Sequence, residues 1–99
     1  MNENTVQQLV HVGKRLKKLA LANKDLITVG IDVFHQVNVH VTEEAMAEIV
    51  KDHPGLDFVN RYPGEECPKD SYRWEARITI DNMKFFALGN EDENEYKSL

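Results

Sequence analysis

The sequence predicts an α+β fold: a two-layer sandwich in which two helices cover one face of an antiparallel sheet made of two hairpins. Two observations predict it. Two segments carry apolar residues at helical spacing, and two pairs of segments alternate apolar with polar residues. The predicted order is α-β-β-α-β-β. The 99 residues suit one domain, 1–99, and we expect residues 89–99 to form a frayed acidic tail.

The first helix is predicted to begin at Thr5, a good N-cap residue, and to run to about Ala22. Asn23 is a suitable residue to end it, because asparagine tolerates the left-handed conformation. Gly13 lies beside the apolar face, where a missing side chain allows another backbone to approach closely. At 100° per residue, the apolar face consists of Leu9, Val12, Leu16, Leu19 and Ala20.

The first hairpin is predicted by two runs of β-branched residues with a period of two, at 27–33 and 37–41. The apolar residues of both runs have odd numbers, so they share one face when the loop between them has an odd length. A three-residue loop at 34–36 would place Val33 opposite Val37. The loop lacks the glycine typical of such turns, so one long bent strand is the alternative.

Thr42 is predicted to cap a second helix over residues 43–52, which the segment 53–55 ends. Its buried side is expected to consist of Met46, Ile49 and Val50. The following segment, 54–70, contains all three prolines, yet Leu56 and Phe58 are too apolar for a free linker. We therefore expect a short strand there, or a loop packed against the core.

The closing hairpin is predicted by alternation on both sides of an Asp-Asn pair at 81–82, two residue types that tolerate positive φ. A two-residue turn at this point sets Ile78 opposite Phe85 on the inner face. On the outer face, it sets Arg77 opposite Phe86.

The candidate protein interface is formed by Phe86 and Leu88, two apolar residues that this register directs to the outer, polar side of the hairpin. Three charged residues rim the pair: Arg77, Glu75 and Lys84. Exposed apolar patches are typical of contact surfaces. The alternatives are a single exposed aromatic residue, or burial of the pair under the aromatic residues of 54–70.

The charge is unevenly distributed along the chain, whose net charge is −5. Five bases and one acid give residues 1–24 a charge of +4, and the remainder, with seven bases and sixteen acids, carries −9. An acidic body repels phosphates and disfavours nonspecific nucleic-acid binding. It favours a partner with a basic, nucleic-acid-binding groove, in which an acidic patch would imitate phosphates: Glu91, Asp92, Glu93 and Glu95.

A nucleic-acid-binding module is the alternative function. Its contacts would come from the basic face of the first helix and from arginines of the last hairpin, with a base stacked on Phe86. The residues predicted for this contact are Lys14, Arg15, Lys18, Arg73 and Arg77.

Catalytic, metal and membrane motifs are not evident in the sequence. The four histidines and Cys67 lack metal-ligand spacing, and an acidic neighbourhood disfavours a reactive thiolate at Cys67. We expect no metal, no cofactor and no enzymatic activity. The single cysteine and the lack of a visible secretory signal favour the cytoplasm. The sequence contains no apolar stretch of 18 residues, the length expected of a membrane span.

The segments Trp74 to Ala76 and Ile78 to Leu88, with the acidic end that follows, resemble small accessory proteins of bacteriophages and prophages of Gram-positive bacteria. The pattern similarity covers residues 37–95 and includes a capped helix like the one at Thr42. The resemblance implies a small regulatory or host-directed protein of the host cytoplasm. Such a protein would act by binding, and the resemblance assigns no catalytic residue. We expect the partner to be a host enzyme or defence complex, or a second copy of the chain.

Overall fold

The fold is known from a computed structural model, which describes residues 1–90. It is an α+β structure, as predicted, with two helices and five strands. The helices are α1 (Glu3–Ala22) and α2 (Glu43–Asp52). The strands are β1 (Leu26–Ile31), β2 (Val37–Val41), β3 (Asp57–Asn60), β4 (Trp74–Ile80) and β5 (Met83–Gly89). The segment 54–70 thus supplies a strand, β3, and β5 extends to the first residue of the predicted tail.

The five strands form one mixed sheet in the order β1-β2-β5-β4-β3. The prediction of a wholly antiparallel sheet is wrong at one place, because β2 and β5 pair in parallel. All other neighbours are antiparallel. Alternation within a hairpin specifies which side chains share a face. It does not specify which strands of two hairpins meet, and this is why the junction was not predicted.

The closing hairpin has the predicted turn and register. Asp81 and Asn82 have φ values of 48° and 65°, as a two-residue turn of this kind requires. Ile78 lies opposite Phe85 on the inner face, and Arg77 lies opposite Phe86 on the outer face, as predicted. The outer-face direction of Phe86 follows from this register.

The first hairpin is shifted by two residues from its predicted register. Ile31, not Val33, lies opposite Val37, and residues 32–36 connect the two strands, with the N–H of Asp32 donating to the carbonyl of Gln36 (3.0 Å). The shift keeps Val29 and Val39 on one face, but an irregularity at the start of β1 places Leu26 opposite Val41 and leaves Ile27 50% exposed. The shift also moves Val33 to the tip of the loop, where 87% of the residue is exposed.

Asp32 is the physical reason for the shift. Its carboxylate accepts hydrogen bonds from the backbone N–H of Phe34 (2.8 Å) and of Gln36 (3.1 Å), and from the side-chain amide of Asn38 (3.1 Å). The bond from Asn38 and that from Gln36 are the main causes that lower the pKa of Asp32. His35 takes the positive-φ position (61°) that a glycine often occupies in such loops.

The core lies between α2 and the inner face of the sheet, which we define as the face that α2 covers. Met46 of α2 is fully buried, at 0% exposure. It packs with five buried side chains of three central strands: Val39, Val41, Ala76, Ile78 and Ala87. Thr42 caps α2 as predicted by accepting the N–H of Ala45 (3.2 Å), and its hydroxyl donates to Asp25 (2.8 Å) at the start of the first hairpin.

The N-cap of α1 differs from the prediction, whereas its C-cap is Asn23 as predicted but in a different backbone conformation. The N-cap is Asn2, whose side chain accepts the N–H of Thr5 at 2.8 Å, so the helix begins before Thr5. Asn23 is extended (φ −131°), and its side-chain amide donates to the carbonyl of Leu19 (2.9 Å) instead of adopting a left-handed conformation. An earlier asparagine therefore supplies the cap that threonine was expected to supply.

The prediction that both helices cover the sheet is wrong for most of α1. This helix has no buried residue and contacts the sheet mainly at the edge strand β1. Leu9, Val12 and Leu19 are 55%, 51% and 54% exposed, and in its predicted apolar face only Leu16 is half-buried. Because α2 already occupies the middle of the inner face, α1 lies towards one side and its apolar face is largely uncovered within residues 1–90.

Replacing Met46 with alanine is expected to destabilise the fold by about 2–5 kcal/mol, because the change leaves a cavity at the centre of the core. Met83→Ala is the matched control, since Met83 is only half-buried at the end of its strand, and it should cost clearly less. Urea denaturation measures both. Equal losses would contradict the placement of the core under α2.

Candidate functional site

The outer face of the sheet carries the five residues of the predicted interface. Phe86, Leu88 and Lys84 come from β5, and Arg77 and Glu75 come from the neighbouring β4. Both helices that the structure describes pack mainly against the inner side, and of these five residues Leu88 lines a pocket with the first turn of α2. The sequence therefore located this surface through the register of one hairpin.

Ion pairs connect the charged residues of the outer face. Arg77 lies 3.3 Å from a carboxylate oxygen of Asp57 and 3.4 Å from one of Glu75. Lys84 lies 3.6 Å from the same oxygen of Glu75. Each such pair contributes less than about 1 kcal/mol to stability at a surface. Their main effect is to restrict the side chains to one arrangement.

Phe86 is half-buried, whereas the sequence predicted an exposed ring. The ring stacks on His40 of β2, with centroids 4.6 Å apart and planes 9° from parallel. The ammonium group of Lys84 lies 5.0 Å from the centre of the Phe86 ring, within cation–π range. Sequence analysis missed His40 as part of this surface, because only the parallel pairing of β2 with β5 places it opposite Phe86.

The predicted alternative, burial under the aromatic residues of 54–70, is wrong for Phe58. Phe58 packs against the inner core and lies 5.4 Å from the ring of Trp74. Leu88, at the other end of the outer face, lines a pocket of about 250 Å³ together with His40 and Tyr72. The pocket also reaches Glu43 and Glu44 at the start of α2.

The pKa of His40 is lowered, chiefly because partial burial penalises the charged imidazolium. The carboxylate of Glu75 opposes this effect by attracting a positive charge. Folding thus favours the neutral form of the ring relative to the unfolded chain. A neutral imidazole stacked on Phe86 adds to the weakly polar middle of the outer face.

The basic residues predicted for nucleic-acid contact do not form one cluster. Lys14, Arg15 and Lys18 are exposed on α1. Arg73 instead donates to the backbone carbonyls of Tyr62 (2.8 Å) and Glu65 (2.7 Å), where it holds the loop after β3. It immediately precedes β4, three strand positions, or about 14 Å, from the edge strand that α1 contacts.

Several other predicted features have simple structural outcomes. Glu91, Asp92, Glu93 and Glu95 lie outside the described residues. Cys67 is half-buried, with its sulfur 3.5 Å from the carbonyl oxygen of Ser71. Within residues 1–90, no three His, Cys, Asp or Glu side chains are grouped so as to hold a metal ion. Neither helix in that range has the length and apolarity needed to cross a membrane.

A second candidate site, not anticipated from the sequence, is a groove of about 490 Å³ on the inner side of the sheet. We call it the inner groove. Its apolar lining comes from α1, α2 and three strands and includes Leu16, Leu19, Val29, Val39, Ile49 and Phe85. Two acids, Asp25 and Glu48, lie among its lining residues. The groove exists because α1 lies to one side of α2 and leaves part of the inner face open.

The chain was compared with protein-family models, curated proteins and solved structures. No protein-family model, curated protein or solved structure matches the chain.

The lowered pKa of His40 gives the stability of the fold a defined pH dependence. The unfolded chain binds a proton at His40 near pH 6.5, whereas the folded chain binds it only at lower pH. The part of the free energy of unfolding that is linked to His40 is therefore fully present above about pH 6.5. It declines as the pH falls towards the lowered pKa of the folded protein.

Urea denaturation at pH 7.5 and pH 5 should show that His40→Gln reduces the loss of stability between the two pH values. His11→Gln, a change at an exposed position of α1, is the control and should leave that difference unchanged. An identical loss in the parental chain and in His40→Gln would contradict the assignment.

Proposed function

We propose that this protein is a non-catalytic binding module that docks a protein partner on the outer face of its sheet. The observation that supports this most directly is the connected cluster of Phe86, His40, Lys84, Glu75 and Arg77. An apolar ring surrounded by arginine and other charged groups is the composition found at the centres and rims of protein interfaces.

The arrangement of the cluster lowers the entropic cost of binding. Its side chains stand on adjacent strands and are restricted by stacking and by ion pairs before any partner arrives. A partner therefore has fewer rotamers to immobilise than on a loop surface. The alternation of positive and negative groups favours a partner with a complementary pattern of charges over an apolar membrane.

The resemblance to phage accessory proteins supports a host protein as the partner. The charge of −9 on residues 25–99 supports a target with a basic, nucleic-acid-binding groove, such as a host enzyme or defence complex. In that complex, Glu91, Asp92, Glu93 and Glu95 would occupy positions of phosphates. Inhibition would then follow from occupation of the groove and would need no chemical step.

The double substitution Phe86→Ala with Leu88→Ala is expected to weaken partner binding at least tenfold and to leave the fold intact. Thr79→Ala, on the outer face of the same hairpin, is the matched control because Thr79 is exposed. A partner captured by affinity purification from host cells would be purified, and its binding to the three chains would be measured by calorimetry. Circular dichroism would establish that all three chains are folded.

Equal affinity of the double variant and the parental chain for the purified partner would show that the outer face is not the docking surface. The sedimenting mass of the double variant without partner would also be compared with that of the parental chain. Equal masses would show that the double substitution does not alter self-association, so that a loss of affinity concerns partner binding.

Nucleic-acid binding is the second candidate, and one observation favours it. Lys14, Arg15 and Lys18 are exposed along α1, and within residues 1–90 none of them forms an ion pair. This function predicts that DNA or RNA is retained in gel-shift assays at moderate salt and released as salt rises. Lys14→Glu with Lys18→Glu would abolish the shift. Our primary proposal predicts no shift at moderate salt in any of these chains.

A further inference from the structure

We propose that His40 makes docking on the outer face dependent on pH: the surface binds its partner while the imidazole is neutral and releases it when the ring gains a proton. This regulation rests on the proposed function, because it concerns the same face of the sheet. It follows from the position of the His40 ring, from its hydrogen bonding and from the charges around it.

His40 belongs to a row of residues that crosses all five strands on the outer face. The strand registers set Thr28 opposite His40, His40 opposite Phe86, Phe86 opposite Arg77 and Arg77 opposite Asp57. The His40 ring lies flat against that of Phe86, with centroids 4.6 Å apart. A partner that covers Phe86 therefore also removes water from His40.

The ring nitrogens of His40 have no hydrogen-bond partner in the part of the chain that the structure describes. The residue is only half-buried, so these nitrogens reach solvent. A neutral imidazole has one N–H donor, whereas the imidazolium has two donors and a positive charge. Burying an N–H group without an acceptor is costly, and burying an unpaired charge costs much more. Docking therefore penalises the protonated ring more than the neutral ring.

A cation already lies against the ring on which His40 stacks. The ammonium group of Lys84 is 5.0 Å from the centre of the Phe86 ring, so a proton on His40 would add a second positive charge beside the same ring. Glu75 of β4 attracts a proton to His40. Its carboxylate, however, lies 3.4 Å from Arg77 and 3.6 Å from Lys84. Two cations thus balance the charge of Glu75 before His40 is protonated.

Two acids at the start of α2 act in the opposite direction. Glu43 and Glu44 line a pocket of about 250 Å³ together with His40 and Tyr72, and their carboxylates favour an imidazolium. The proposed partner has a basic groove, and its cations would pair with these carboxylates on docking. In the complex, His40 would therefore lose the counter-charges that the free chain offers it.

The free chain already shows the same tendency. Partial burial lowers the pKa of His40 and outweighs the attraction of Glu75. A partner that removes more water lowers this pKa further, so the ring gives up its proton to solvent on docking. Affinity is therefore complete above the pKa of His40 in the free chain and declines as the pH falls below it.

Calorimetry at pH 7.5 and pH 5.5, with the partner captured from host cells and purified, measures the effect. For the parental chain, the dissociation constant should rise about threefold or more at the lower pH. His40→Phe keeps a flat ring against Phe86 but gains no proton, so the ratio of its two dissociation constants should lie closer to one. The ratio compares one chain with itself, so an affinity change caused by the substitution alone cancels.

His11→Gln, a change at an exposed position of α1, is the matched control and should keep the parental ratio. His40→Gln removes the titrating group and the ring together, and it should give the same ratio as His40→Phe. Titratable groups of the partner affect every chain equally, so differences between the ratios belong to His40. Circular dichroism at both pH values establishes that all four chains are folded.

Proton release gives an independent readout. Calorimetry at pH 6 in phosphate and in Bis-Tris, two buffers with different heats of ionisation, counts the protons exchanged on docking. The parental chain should release more protons than His40→Phe.

The regulation would be overturned by equal ratios for the parental chain, His40→Phe and His40→Gln, or by equal proton release from the parental chain and His40→Phe. Either result would leave docking on the outer face in place, provided that Phe86→Ala with Leu88→Ala still weakens binding. Equal affinity of that double variant and the parental chain would overturn the proposed function and this regulation together.

Discussion

The parallel pairing of β2 with β5 is the interaction on which the rest of the structure depends. It joins the two-stranded hairpin of β1 and β2 to the three antiparallel strands β3, β4 and β5, and so completes one five-stranded sheet. A two-stranded hairpin by itself is at best marginally stable in water. On the inner side the parallel pairing brings Val39 beside Phe85 and provides the continuous apolar surface against which Met46 is buried. On the outer side it sets His40 opposite Phe86, and the stacked pair forms the middle of the proposed docking surface.

The two faces of the sheet differ because one short helix covers only part of the inner face. The ten residues of α2 span about 15 Å, enough to bury one methionine and the small residues beneath it. The remaining apolar surface lies beside α1 and forms the inner groove. On the outer face, ion pairs and ring stacking connect side chains of neighbouring strands. A folded core and two surfaces of different composition therefore follow from the same layer arrangement.

The sheet edges are also consistent with recognition through faces. The edge strand β1 has an irregular register between Leu26 and Thr28, and the opposite edge strand β3 has only four residues. Irregular and short edges discourage the addition of a further strand. Contacts made by side chains of the faces, not by backbone hydrogen bonds at an edge, are therefore the mode of binding that this fold favours.

The sequence by itself determined the local features: the α+β class, the Thr42 cap, the Asp-Asn turn and the register that directs Phe86 outward. Each depends on residues a few positions apart, whose spacing and backbone preferences are visible in the chain. Tertiary structure alone decided the parallel junction, the place of His40 and the uncovered face of α1, because they depend on which distant elements meet. The shift of the first hairpin lies between these cases. The carboxylate of Asp32 organises its own loop through hydrogen bonds, which outweighed the apolar alternation that had placed Val33 inside.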